Sequence, residues 1–263
     1  GEFRMDLQLK NRLALVSGST AGIGYAIAEA LLREGARVIV NGRTQAAVDA
    51  AVAKLGVGAI GFAGDLACAA GADALAKAHP DIDILVNNLG IFEPKAFEDI
   101  PDADWTRFFD VNVLSGVRLS RQVLPGMKRR NWGRILFISS ESGIQIPAEM
   151  IHYGMTKSAQ IAIARGLAES VAGTGITVNS VLPGPTRSRG VEDFVQTLAD
   201  ESGQSFEDFE KEFFEKVRPT SLIKRFATPE EVAAMVVYLA SPLASATTGA
   251  AVRVDGGTVK SAF

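Results

Sequence analysis

The sequence predicts an α/β fold: a doubly wound parallel sheet of seven strands with helices on both faces, in a single domain. Three observations predict it. Seven short apolar runs recur along the chain, separated by longer segments of helical periodicity. Several of these runs are almost wholly apolar, as strands covered on both faces must be. No tandem repeat, low-complexity tract or linker divides the 263 residues, so the alternation of strand and helix belongs to one sheet.

The elements follow in order. "RLALVS" (12–17), "RVIVN" (37–41), "AIGFAG" (59–64), "DILVNN" (83–88), "RILFISS" (134–140), "ITVNSVLPG" (176–184) and "AAVRVDGG" (250–257) read as strands. Helical spacing covers 22–34, 44–54, 67–79, 102–130, 151–173 and 228–240. The last of these has the clearest start: a capping threonine, a proline at the first helical position and acids in the first turn. Residues 185–222 break the rhythm with an acidic, Phe-rich stretch, "VEDFVQTLADESGQSFEDFEKEFFEKV". It reads as a surface helix pair or as a lid, and inserts after strand C-termini overhang the ligand crevice of such sheets, which favours the lid. Residues 1–4, ahead of Met5, read as a remnant of cloning; the domain is taken as 5–263.

Composition narrows the function. A formal charge of −3 and the lack of a basic run give no footprint for nucleic acid or an anionic membrane. No apolar run of about 18 residues suggests a membrane span. The lone Cys68 cannot form an internal disulfide, which points to a reducing cytoplasm. With two histidines and one cysteine, no metal site is expected.

"VSGSTAGIG" (16–24) joins the first strand to the first helix, with Gly18, Gly22 and Gly24 in a G-x-x-x-G-x-G spacing. A tight turn, close approach of a dinucleotide and free N–H groups at a helix start all call for such residues. Ser17, Ser19 and Thr20 are possible hydroxyl donors there. The second strand ends in "VNGRT". An acid near this point would accept from the ribose hydroxyls of NAD, whereas an arginine accommodates a 2′-phosphate. Gly42 and Arg43 stand there and no acid does, so NADP(H) is favoured over NAD(H).

The ordered motifs resemble those of the short-chain dehydrogenase/reductase family, a Rossmann-like fold, from about Leu9 to Gly257. The resemblance implies cofactor contacts from Gly18, Ser19, Thr20, Gly22, Ile23 and Gly24 of the turn and from Asp65 and Leu66 of "GDL". It adds Asn88 and Gly90 of "NNLG", and Pro183, Gly184, Thr186 and Ser188 of "PGPTRS". Leu89 departs from the family's alanine and adds bulk beside the adenosine site. Asn112 of "VNV", Ser140 of "ISSES" and Tyr153 with Lys157 of "YGMTK" are the implied catalytic set; Tyr153 and Lys157 also contact the cofactor.

Tyr153 and Lys157 stand four apart, so a helix projects both from one face. A phenol ionises near pH 10, and proton exchange near neutrality favours a value near 7. That shift corresponds to about 4 kcal/mol, which an adjacent ammonium in a desolvated site can largely supply. Ser140 would polarise a substrate carbonyl, and by resemblance Asn112 would hold a water that links Lys157 to solvent. His152 should face away from Tyr153, as helix surface or pocket wall.

The expected activity is hydride transfer between NADP(H) and a carbonyl or secondary alcohol, with Tyr153 as acid/base. A 3-oxoacyl reductase is one candidate. The alternative is a catalytically silent NADP(H) sensor on the same fold. Ile91, Phe92, Glu93, Ser142, Gln145, Ile146 and Met150 are candidate pocket residues. Arg187 and Arg189 are either anion receptors or solvated loop charges. The resemblance also implies a homotetramer, packed through the helices at 102–130 and 151–173.

Overall fold

The computed structural model describes residues 5–188, 191–193, 196–197 and 203–263. Seven parallel strands form one sheet in the order β3-β2-β1-β4-β5-β6-β7. They are β1 (Leu13–Val16), β2 (Arg37–Gly42), β3 (Ala59–Ala63), β4 (Ile84–Asn87), β5 (Gly133–Ile138), β6 (Ile176–Pro183) and β7 (Ala251–Val254). Each lies within an apolar run predicted from sequence or overlaps it closely. The helices are α1 (Gly22–Arg33), α2 (Gln45–Leu55), α3 (Ala69–Ala78), α4 (Asp102–Phe109), α5 (Ser115–Arg130), α6 (Ile151–Ser170), α7 (Phe206–Lys216) and α8 (Pro229–Ala240).

Alternate residues of each strand serve opposite cores, as the two-residue period requires. Val16, Val38, Val40, Leu136 and Ile138 pack with Ile27 and Leu31 of α1 and Val232 and Val236 of α8. Leu15, Ile39, Ile135, Phe137 and Val178 pack on the other face with Leu75 of α3, Leu119 and Val123 of α5 and Ala164 of α6. Both sheet faces are covered, which explains why the strand sequences carry so few polar residues. The start of α8 has the expected cap: Thr228 Oγ1 accepts from Glu231 N at 3.2 Å, and Glu231 Oε2 accepts from Thr228 N at 2.9 Å.

The predicted helix at 102–130 is not uniform. Residues Asp110–Leu114 form a π turn between α4 and α5, and Asn112 sits inside it. Strand order reverses between β1 and β4, so a crevice opens outside their C-terminal ends. The glycine turn, "NNLG" and the ends of β5 and β6 meet at that edge.

Candidate active site

The glycine turn is built for close approach. Gly18 and Gly22 have φ of 60° and 61°, the left-handed region that favours glycine. A Cβ on Gly24 would lie 2.4 Å from Gly18 O and 2.5 Å from Asn88 Nδ2. Asn88 Nδ2 donates to the carbonyls of Ser17 and Gly18, at 3.2 and 3.1 Å, and so holds the turn against β4. Asn41, buried at the end of β2, accepts from Gly18 N at 3.0 Å through its side-chain oxygen. The start of α1 has no side-chain cap and no acid in its first turn, so its N–H groups stay available to an anion.

Two serines of the turn do something other than expected. Ser17 Oγ accepts from Asn88 N at 3.0 Å and Leu89 N at 3.1 Å. Ser19 Oγ donates to Val16 O at 2.7 Å and accepts from Asn41 N at 2.9 Å. Both hydroxyls face inward and knit β1 to its neighbours, which leaves Thr20 as the hydroxyl of this turn that can face a ligand. Leu89 lies over Gly18, 3.5 Å from where a Cβ would be.

Ser140, Tyr153 and Lys157 converge beside this turn. Gly143 makes the convergence possible, since a Cβ there would lie 2.9 Å from the Lys157 backbone. The turn after β5 therefore rests directly on α6. Lys157 is buried, and its Nζ lies 5.5 Å from the Tyr153 ring centroid and 3.4 Å from a Cβ built on Gly90. It donates to Ile138 O at 3.0 Å. Ser140 Oγ donates to Glu141 Oε2 at 2.5 Å and accepts from Ser142 N at 3.1 Å. The proton expected to polarise a substrate carbonyl is thus held by Glu141. Phe92 meets the Tyr153 ring edge-on at 6.3 Å.

The electrostatics run opposite to the expectation for Tyr153. Burial pushes the phenol above its ordinary value and the Glu141 carboxylate adds to the rise; the Ser140 hydrogen bond and the Arg218 guanidinium act against it. Lys157 is buried beside it. Burial lowers its own pKa to about 8, with Glu141 opposing, and its ammonium is turned to the Ile138 carbonyl.

Asn112 is fully buried and clamps one residue of the crevice floor. Its Oδ1 accepts from Ile91 N at 2.8 Å; its Nδ2 donates to Ile91 O at 2.9 Å and to Thr156 Oγ1 at 3.0 Å. Thr156 Oγ1 in turn donates to the Tyr153 carbonyl at 2.7 Å. Three of the four hydrogen bonds open to the side-chain amide are thus taken, and one lone pair of Oδ1 remains.

His152 is neither helix surface nor pocket wall. It is fully buried between α4 and α6, 3.9 Å from the Phe108 ring, with its pKa lowered mainly by burial.

The remaining positions line the same edge. Arg43 is exposed and follows Gly42, where a Cβ would lie 2.6 Å from Thr20 Cγ2. Asp65 is exposed and accepts from Ala67 N at 3.0 Å, while Leu66 is buried. Pro183 ends β6, Gly184 passes within contact of Asp255, and Thr186 Oγ1 donates to Gly184 O at 2.9 Å. Ser188 Oγ accepts from Val191 N at 3.3 Å. Arg187 pairs with Glu192 at 2.8 Å and lies over Phe206, so it is a loop charge with its own partner. Arg189 lies outside the described residues. Of the candidate pocket residues, Ser142 is buried, and Glu93 is tied to Lys95 and Arg107. Among the described residues, no group of three or more His, Cys, Asp or Glu side chains is arranged to hold a metal ion.

A crevice with an uncapped helix start, a glycine cradle and no acid at the end of β2 fits a dinucleotide. The family model described as Enoyl-(Acyl carrier protein) reductase matches residues 18–259. The chain belongs to the short-chain dehydrogenase/reductase family. Among its relatives is the oxidoreductase YvrD of Bacillus subtilis, 52% identical over 98% of this chain and 100% of that one. The D-beta-hydroxybutyrate dehydrogenase of Cupriavidus necator is 36% identical over 95% of this chain and 99% of its own. The crystal structure of L-sorbose reductase from Gluconobacter frateurii, complexed with NADPH and L-sorbose, superposes with a TM-score of 0.92 at 31% identity, covering 98% and 100% of the two chains. The short-chain dehydrogenase/reductase motifs thus extend over nearly the whole sequence. Two site residues escaped the motif reading. Glu141 stands in plain view next to Ser140, whereas Arg218 carries no local signal because its partner lies 77 residues away.

Proposed function

We propose that this chain is an NADP(H)-dependent reductase of small carbonyl compounds, with Tyr153 as the acid. The convergence of Ser140, Tyr153 and Lys157 beside the glycine cradle carries this reading. Gly18, Gly22, Ile23 and Gly24, with the start of α1, take the pyrophosphate; Thr20 and Arg43 take the 2′-phosphate. Asp65, Leu66, Asn88 and Gly90 flank the adenosine. Pro183, Gly184, Thr186, Ser188 and Lys157 hold the nicotinamide end. NADPH, when bound, supplies the hydride.

Tyr153 gives its phenolic proton to the substrate oxygen. Its raised pKa keeps the phenol protonated at neutral pH, which suits reduction. Lys157, 5.5 Å from the Tyr153 ring and with a pKa of about 8, is close enough to neutrality to pass a proton on. Asn112 fixes Ile91 and the first turn of α6 so that these groups keep their places.

The insert at 185–222, of which 189–190, 194–195 and 198–202 lie outside the described residues, serves as the lid: Arg218 reaches back to Glu141, and Leu222 N donates to Gly256 O at 2.8 Å. Ketones of the 3-oxoacyl type are one candidate substrate class, supported by the names of two reductase relatives. Among the described residues, no helix is long and apolar enough to cross a membrane. A cytoplasmic homotetramer, packed through the helices at 102–130 and 151–173, suits the exposed, unpaired Cys68 and the exposed Phe109 on α4. The test is oxidation of NADPH with a panel of ketones and aldehydes. Tight NADPH binding without turnover across the panel would favour a sensor instead.

A further inference from the structure

Glu141 follows Ser140 directly, and its side chain is only 7% exposed. A carboxylate is seldom buried unless something holds it there. Both of its oxygens are engaged. Oε2 accepts the Ser140 proton at 2.5 Å, and Oε1 accepts from Arg218 Nε at 3.3 Å. Arg218 lies just past α7, with its side chain 12% exposed, and its Nη1 also donates to Glu149 Oε1 at 3.0 Å.

A serine hydroxyl has one proton and two lone pairs. Ser140 gives the proton to Glu141 and one lone pair to Ser142 N–H. What remains toward Tyr153 is an acceptor. A phenol O–H can use that acceptor and a phenolate cannot. We propose that Glu141 is a positioning residue: it fixes Ser140 as an acceptor toward Tyr153 and so holds the phenol in its protonated, reduction-competent form, while Arg218 ties the insert to this arrangement. The inference rests on the reading of Tyr153 as the acid/base group.

The charges around Tyr153 agree with it. Glu141 faces the phenol from the turn after β5 and Arg218 from the segment after α7. Lys157 comes from one turn further along α6, and Glu149, before α6, is held by Arg218. His152 points away into the contact with Phe108. Glu141 raises the phenol's pKa and Arg218 lowers it. The Ser140 hydrogen bond lowers it as well, and the hold of Glu141 on the Ser140 proton limits that help.

The experiment measures alcohol oxidation with NADP against pH for the wild type, Glu141→Gln, Arg218→Met and Arg218→Lys. Oxidation needs the phenolate, so its rate rises as pH passes the Tyr153 pKa. In Glu141→Gln the charge is gone, and an amide oxygen holds the Ser140 proton more weakly than a carboxylate does. The rising limb should move down by at least about one unit, a tenfold gain in rate below the wild-type midpoint. Arg218→Met should move the limb up, and Arg218→Lys should stay near the wild type.

A second readout needs no turnover. Ultraviolet titration of phenolate, with a Tyr153→Phe blank for each background, isolates Tyr153 from Tyr25 and Tyr238. Glu141→Gln curves that overlie the wild type in both measurements overturn the proposal, as does a shift of both variants in one direction. A merely structural role would lower rates at every pH without moving the midpoint. Should the wild type turn over no carbonyl or alcohol, the functional reading fails, and the titration alone decides this inference.

Discussion

Replacing Asn112 with alanine removes a side chain at zero exposure that makes three hydrogen bonds, to Ile91 N, Ile91 O and Thr156 Oγ1. Each bond contributes about 1 kcal/mol net, and a buried partner left without one costs about 1–3 kcal/mol. The combined loss is about 3–5 kcal/mol, since the three share one side chain and are not additive. In a chain of this size each kcal/mol lowers Tm by about 2–4 °C, so Asn112→Ala should melt about 6–20 °C below the wild type. Thr156→Val removes only the Asn112–Thr156 contact and the bond to the Tyr153 carbonyl. It should cost about 1–2 kcal/mol and melt between the two. The assay is thermal unfolding followed by circular dichroism, at one protein concentration for all three. An Asn112→Ala protein melting within 2 °C of the wild type, by the about 2–4 °C per kcal/mol scale, would refute the clamp. So would a Thr156→Val protein less stable than Asn112→Ala.

Two further outcomes follow from charges at the surface. Arg43→Ala should weaken NADPH binding about tenfold, the loss of one charge-assisted contact of about 1.4 kcal/mol, with NADH affinity little changed; fluorescence titration with both cofactors checks this, and equal losses would defeat the phosphate assignment. Glu231 is bonded to Arg225 and to the Thr228 backbone, which lower its pKa from 4.5 to about 2. A carboxylate depressed in the fold adds stability that is present above its unfolded value and lost as pH falls through the folded one. Wild-type Tm should therefore drop more steeply than that of Glu231→Gln between pH 4.5 and about 2, and parallel curves would contradict the capping role.

The sheet was legible because a strand covered on both faces has almost no choice of residue: Leu13–Val16 and Ile84–Asn87 show it at a glance. The glycine turn and the Tyr153–Lys157 spacing were legible because they are local. What the chain hides is non-local or directional. The π turn at Asp110–Leu114 leaves no mark in composition, since the residues that form it also suit an α-helix. Ser17 and Ser19 looked like ligand donors until β2 and β4 filled the space around their hydroxyls. His152 sits next to Tyr153 in sequence, and only the packing of α4 shows that it is sealed off. The rise in the Tyr153 pKa depends on burial and on Glu141, and a spacing rule weighs neither.

The most direct test is the steady-state oxidation of NADPH by wild-type and Tyr153→Phe protein on the best carbonyl of a broad panel, with NADPH affinity measured alongside. The account predicts that the variant keeps wild-type affinity while turnover falls by at least about a hundredfold, the usual contribution of a positioned proton donor. Turnover in the variant within a few-fold of the wild type would mean that some other group delivers the proton.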